Sequence, residues 1–98
     1  MIVDLKIIAE IEHAKTDSGY PLKVEAKYDA VAERMSVKRS EFYEAYKVGL
    51  KPTVVYRLHP LDYPAGAIYV EEGGVKYKIL RTYETGSDAI EITCEKVV

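Results

Sequence analysis

Apolar and polar residues alternate along most of the chain, and this pattern predicts β-strands. Residues 3–13 place an apolar side chain at every second position, and only Ile8 departs from the pattern. A strand with one apolar and one polar face is typical of antiparallel sheets, which bury one face and expose the other to water. The same alternation predicts strands over 53–59 and 89–96, and the stretches 67–72 and 75–83 that flank Gly73-Gly74 are predicted to form a hairpin.

The second predicted strand begins regularly and then loses its phase. Residues 22–28 alternate, but Val31 and Met35 fall out of step with Tyr28. A bulge or bend near Asp29–Ala30 would account for the slip. The alternative is a short helix over 30–35, because Ala, Glu, Arg and Met all favour helices.

The segment 36–52 has no alternation and predicts a helix instead. Ser36 or Ser40 would cap its start, because a serine oxygen accepts a hydrogen bond from an unpaired backbone N–H. Gly49 suits the left-handed position just beyond a helix, and Pro52 prevents its continuation. A helix of two to three turns is not stable alone, so it must dock against the rest of the protein.

The aromatic residues of this helix have two possible roles. Phe42 and Tyr46 lie at helical spacing with Ala45 and Gly49, so they could plug one end of a barrel. Alternatively, part of the segment faces outward, toward another protein. We take as the candidate assembly interface the residues Phe42, Tyr43, Tyr46 and Leu50.

Together these elements predict the fold class. We expect a mainly β protein whose one domain, over 1–98, is a small antiparallel barrel of about six strands. One short α-helix lies between strands 2 and 3, within a helical arm at about 36–52. Tight turns such as Gly73-Gly74 support the hairpins, since paired glycines adopt the positive φ angles that such turns need.

Charge argues against a dedicated DNA-binding protein. The net charge of the 98 residues is −2, whereas DNA-binding domains usually carry a large basic excess. The segment 36–52 differs from the rest, because its net charge is +2 and leaves −4 elsewhere. We take as candidates to face DNA or a channel the residues Lys38, Arg39, Lys47 and Lys51.

No constellation of residues predicts catalysis, a metal or a cofactor. Cys94 is the one cysteine, so it has no partner for an internal disulfide, and its position on an apolar strand face predicts an inert thiol. His13 and His59 lack cysteine or acidic residues at metal-ligand spacing and are expected on the surface. The chain also lacks the pattern of a signal peptide and any stretch of ~20 apolar residues that could cross a membrane.

The order of several motifs resembles one known family. "SEFYEAYKVGLKPTVVYRLHPLDY" is followed by "YVEEGGVKYKILRTYETGSDAIEITCEK". This succession is similar to the head–tail joining, or head-closure (stopper), proteins of tailed bacteriophages and prophage elements. The likeness spans the whole chain and is densest over 38–96. The second strand of that family often carries a tryptophan, which this chain lacks, and Tyr28 is the aromatic residue available there.

The resemblance implies a structural role without chemistry. Such a protein is a small barrel with an inserted helical segment, and it forms a ring with copies of itself below the portal and adaptor. The ring closes the DNA-filled head and offers a surface for the tail. The implied partners are the portal–adaptor complex, tail proteins and packaged DNA, with no membrane and no small-molecule substrate. The implied location is the bacterial cytoplasm during assembly, then the connector of the virion.

Two other functions remain open. A stand-alone nucleic-acid-binding barrel of the SH3-like or OB-like kind could stack bases on its tyrosines, of which the chain has nine. A ring subunit that completes the phage tail is the other alternative.

Overall fold

The computed structural model describes residues 1–15, 19 and 21–97, with residues 12–15 and 21–23 described by their backbone alone. The punctuating residues of "KTDSGYP" (15–21) predict a loop between the first two strands, but this segment lies mostly outside the described residues, as does the side chain of His13. The strands and helices are β1 (Ile2–Lys15), β2 (Pro21–Met35), α1 (Arg39–Lys47), β3 (Val54–Leu58), a 3₁₀ turn (Pro60–Asp62), β4 (Ala67–Glu72), β5 (Val75–Glu84) and β6 (Ile90–Lys96).

The six strands form a closed barrel in the order β1-β2-β3-β6-β5-β4. Every neighbouring pair is antiparallel, and β4 returns to β1 to complete the closure. The predicted mainly β barrel, with one short helix between strands 2 and 3, is confirmed. Closure removes the free edges that an open sheet of this size would expose.

β2 keeps its phase throughout, so both explanations of the predicted slip are wrong. Its pairing with β1 runs without a shift through Asp29–Ala30, and the segment 30–35 is strand, not helix. Ala30 and Ala32 are the buried residues that continue the inward face, while Val31 is 56% exposed. Alanine marks the inward positions weakly, and the long partner strand outweighs the local preference for a helix.

The first hairpin extends beyond the barrel. β1 pairs with β4 only over Lys6–Ala9, and β2 pairs with β3 only over Glu33–Met35. Elsewhere in the described part of the chain, the two long strands pair only with each other. This ribbon accounts for the elongated outline of 50 × 30 × 28 Å.

The barrel interior is filled by side chains, not open. The rings of Tyr56 and Tyr77 meet edge to face, with their centroids 6.0 Å apart. The Tyr56 hydroxyl donates a hydrogen bond of 2.6 Å to Glu72, whose carboxylate also accepts from Arg34 at 3.3 Å. Burial, reinforced by this bond, raises the pKa of Tyr56 above its usual value. The core consists of Leu5, Ile7, Ala30, Ala32, Val54, Tyr56, Leu58, Val70, Tyr77, Ile90, Ile92 and Cys94.

The loop 59–66 crosses one end of the barrel. β3 and β4 are consecutive in sequence but lie on opposite sides of the closed order, so their connection must pass over an open end. Tyr63 is half-buried in this loop and packs against the core, and burial raises its pKa. The loop ends at Gly66, whose carbonyl accepts a 3.0 Å hydrogen bond from the backbone N–H of Glu10.

Gly66 is expected to be the least replaceable glycine of the described turns. Its φ is +79°, and a Cβ there would lie 2.6 Å from the carbonyl oxygen of Glu10. Gly74 offers a matched control, because its φ is +82° but nothing lies within 4 Å of its added Cβ. Gly74→Ala should cost ~1 kcal/mol of unfolding free energy from backbone strain alone. Gly66→Ala should cost at least ~1 kcal/mol more, because β1 must also move. Urea unfolding of both variants measures the difference, and equal losses would contradict this account.

Candidate functional site

Helix α1 is short, and its N-terminus and C-terminus are terminated in different ways. Lys38 occupies the N-cap position with an extended backbone and no side-chain cap, so the predicted serine caps at Ser36 and Ser40 are wrong. Ser40 lies inside the first turn instead. At the other end Gly49 has φ +82°, and the backbone N–H groups of Gly49 and Leu50 each donate a 3.0 Å hydrogen bond to the last turn. The predicted glycine stop is confirmed, and its paired bonds form a Schellman motif.

A carboxylate anchors the helix to the outer wall of the barrel. Glu41 Oε1 accepts hydrogen bonds from Arg81 Nε on β5 at 2.8 Å and from Thr93 Oγ1 on β6 at 3.0 Å. The Glu41 side chain is 19% exposed, so this ion pair is partly shielded from water. Charge-assisted hydrogen bonds of this kind are stronger than neutral ones. Because they hold one side of a nine-residue helix, they also fix its rotation about its own axis.

An apolar cleft lies between the helix and the barrel. Its volume is about 380 Å³, and its apolar lining comes from Ala45, Leu50, Pro52 and Leu80. Glu41 lines the same cleft, so it and Ala45 define the barrel-facing side of α1.

The aromatic side chains lie off that side. Tyr43 and Tyr46 are open to solvent, and Phe42 also lines a hollow with Met35 and Val54 of the barrel. Phe42, Tyr43 and Tyr46 are 37%, 59% and 61% exposed, and no residue of the helix is buried. The Phe42 ring stacks on Tyr46 at 6.1 Å and meets Tyr43 edge to face at 6.3 Å. The interpretation that Phe42 and Tyr46 plug one end of the barrel is therefore wrong, because both rings are exposed and neither belongs to the core.

Leu50 does not join the aromatic cluster. It follows the glycine stop, is 37% exposed and lines the cleft on the barrel side. Three of the four candidate interface residues thus come together, and Leu50 lies apart from them.

The four predicted basic residues also fall into two groups, two on the helix and two beside it. Successive helical residues turn by about 100°, which places Arg39 and Lys47 beside the aromatic rings at the two ends of α1. Lys47 pairs with Glu44 at 3.2 Å. Lys38 and Lys51 flank the helix, and among the described residues neither their side chains nor that of Arg39 form an ion pair. We call Arg39, Phe42, Tyr43, Tyr46 and Lys47 the aromatic–basic face.

The contacts of Cys94 and His59 indicate that both residues support the fold. Cys94 is fully buried in the core, and burial raises the pKa of its thiol to about 12. His59 Nδ1 accepts a 3.1 Å hydrogen bond from the backbone N–H of Leu61 and so caps the 3₁₀ turn. Within the described residues there is no group of three or more His, Cys, Asp or Glu side chains that could hold a metal ion.

Comparisons with protein families and with curated proteins identify no relative of this chain. No protein-family model matches the chain, and no curated protein matches it significantly. No helix in the described part of the chain is long and apolar enough to cross a membrane. The aromatic–basic face is the feature of the structure that most needs a functional explanation.

Glu41 should hold α1 in place, and Glu44 should not. Glu41→Ala removes the hydrogen bonds to Arg81 and Thr93, whereas Glu44→Ala removes only an exposed pair with Lys47. Loss of a charge-assisted anchor worth about 1.5 kcal/mol corresponds to about tenfold faster amide exchange in the helix. Hydrogen exchange of α1 against the strands measures this. Similar exchange in both variants would show that the helix is held by other contacts.

The Cys94 thiol should be unreactive in the native protein. At pH 8 we expect modification by Ellman's reagent only after denaturant is added, because the thiolate is both rare and inaccessible. Burial raises the folded pKa above the unfolded value of about 9, so the thiol's contribution to stability is complete below pH 9 and is lost as pH rises toward about 12. Cys94→Ala should show a smaller loss of stability across that range. Rapid native labelling at pH 8 would refute the burial argument.

Proposed function

We propose that this chain is a structural subunit of a tailed-phage connector, the head-closure ring that retains packaged DNA and receives the tail. Two facts support this. The order of sequence motifs resembles that family over the whole chain. The chain also folds as a closed six-stranded barrel with a helix between strands 2 and 3, the architecture that the resemblance implies.

The observation that carries the proposal is the uncovered aromatic–basic face. Aromatic rings and arginine are enriched in protein interfaces, where they supply much of the binding energy. Here the three rings contact one another on a helix whose orientation is fixed by Glu41. A surface that is already in place loses little conformational entropy when a partner binds, which suits assembly from many subunits.

The packed interior bears on where DNA would pass. Ile7, Tyr56 and Ile92 are fully buried inside the barrel, so its lumen has no room for a nucleic acid. In a connector, DNA would therefore lie in the central hole of a ring built from several copies. Lys38 and Lys51 are exposed and would lie near the phosphates, or near acidic surfaces of the ring above.

The stand-alone nucleic-acid-binding barrel has less support. That function calls for several tyrosines on one exposed strand face. Instead Tyr56 and Tyr77 point into the core, and the remaining strand tyrosines Tyr28, Tyr69 and Tyr83 lie on three different strands. A tail-completion ring would use similar surfaces. It differs from a head-closure ring in the particles that form when the protein is lost.

Inactivation of the gene in its source prophage tests the proposal. We expect induced cells to contain heads that have lost their DNA and separate tails, as seen by electron microscopy. DNA-filled heads with defective tails would favour the tail-completion ring, and normal virions would refute a connector role.

Complementation tests the face itself. Tyr43→Ser with Tyr46→Ser should fold normally, because both side chains are more than half exposed, yet fail to restore particles. Tyr83→Ser is the matched control, since Tyr83 is 66% exposed on β5 and lies outside the face. Full rescue by the double variant would show that the face is not used.

A further inference from the structure

A second uncovered apolar surface lies on β1, β2 and the loop that follows β3. Ile2, Val31 and Leu61 are 69%, 56% and 89% exposed. Ile2 and Val31 line one hollow on the outer wall, and Asp62, the residue after Leu61, lines a neighbouring hollow with Val31. Ile2 and Val31 therefore share one aliphatic surface, and the turn that carries Leu61 borders it.

Acidic residues surround this aliphatic surface. Asp4 pairs across the sheet with Val31, and Glu33 pairs across it with Ile2. Among the described residues, the side chains of Asp4, Glu33 and Asp62 make no ion pair. We call Ile2, Asp4, Val31, Glu33, Leu61 and Asp62 the aliphatic–acidic patch.

The basic residues nearest the patch leave its charge negative. Lys6 is held by Asp29 at 2.9 Å. Arg57, across from Glu33 in the neighbouring strand, is the positive charge at its margin. Three acids against one free basic side chain leave the patch acidic, whereas Arg39 at the start of α1 is a basic side chain without an ion pair among the described residues.

The two surfaces occupy different parts of the barrel, although Phe42 also lines a hollow beside Met35 at the end of β2. The helix rests on β5 and β6, through Arg81 and Thr93. The patch lies on β1 and β2. In the closed order, β3 separates these strand pairs on one side and β4 separates them on the other.

We infer that the aromatic–basic face of one copy of this chain binds the aliphatic–acidic patch of a second copy. The inference rests on the proposed function and names the contact between neighbouring subunits. Both surfaces expose apolar side chains, so the aromatic rings of one copy would cover Ile2, Val31 and Leu61 of the other. They also match in charge, because Arg39 would face carboxylates that have no ion-pair partner within the described chain.

The contact is head to tail, because it joins two different surfaces. Each copy keeps one free surface of each kind after a single contact forms. Association of this type repeats and produces a ring where the rotation between neighbours closes. The contact is expected to weaken with salt, since exposed charges contribute to it.

Cysteine cross-linking tests the geometry with purified protein. Tyr46→Cys mixed with Leu61→Cys should give a disulfide-linked heterodimer, and the double variant should give a ladder of oligomers. Cys94 is buried and should not interfere. Tyr83→Cys replaces Tyr46→Cys in the control and should not cross-link to Leu61→Cys. Dimers of Tyr46→Cys alone would indicate a symmetric helix–helix contact and overturn the inference, as would no cross-linking above the control.

Charge exchange tests the pairing of the two surfaces. Arg39→Glu makes the helix side acidic, and Asp4→Lys with Asp62→Lys makes the patch basic. Each of these variants alone should lose cross-linking about tenfold, and a mixture of the two should restore it, because opposite charges then meet at both contacts. Glu25→Lys alters an exposed acid of β2 outside the patch and should change little. No loss in either variant, or no recovery in the mixture, would refute the charge pairing.

These outcomes separate the inference from the proposed function. Failure of cross-linking, with the particle defects still present, would overturn the head-to-tail contact and leave the connector role intact. Cross-linking as expected, with normal virions after gene inactivation, would overturn the connector role and leave the contact intact.

Discussion

Closure of the barrel is the constraint on which the rest of the structure depends. The closing contacts are short, because β2 meets β3 only over Glu33–Met35 and β1 meets β4 only over Lys6–Ala9. Closure also places β3 and β4 on opposite sides, which forces the loop 59–66 across one end. Tyr63 then packs against the core. The positive φ of Gly66 lets the chain approach Glu10 of β1 closely just before β4 begins.

The position of α1 follows from that closed wall. β5 and β6 present Arg81 and Thr93 on their outer side, where Glu41 binds both. An apolar stripe would have turned the aromatic residues inward, but a carboxylate anchor turns them outward. Phe42, Tyr43 and Tyr46 do not belong to the barrel core, and the exposed area of their rings costs solvation free energy. A surface of this kind is explained most simply by a partner.

The two uncovered surfaces differ from each other in composition and charge. One is aromatic and basic, the other aliphatic and acidic, and they occupy different parts of the barrel. A monomer gains nothing from this separation. A chain of identical subunits gains a repeating contact, with selectivity from its charges and with affinity limited by the small area of each surface. The filled interior fits the same picture, because any passage must lie between subunits, not inside one.

Much of the fold was determined by the sequence itself. Period-two alternation marked β1, β3, β6 and the first half of β2, because the side chains of a strand point alternately to its two faces, and Gly73-Gly74 marked the hairpin of β4 and β5. Gly49 marked the end of the helix, because it adopts the left-handed conformation there at little cost. The phase of β2 was not readable, because Ala30 and Ala32 are too small to signal burial, and only pairing with β1 fixed it. The direction of the aromatic rings was not readable either. It depends on Glu41 meeting residues about 40 and 52 positions away in sequence, Arg81 and Thr93, and only the closed barrel brings these side chains together. For the same reason the second apolar surface could not be read from the sequence. Ile2, Val31 and Leu61 lie far apart along the chain. Tertiary structure alone brings Ile2 and Val31 onto one surface, with the turn of Leu61 at its border.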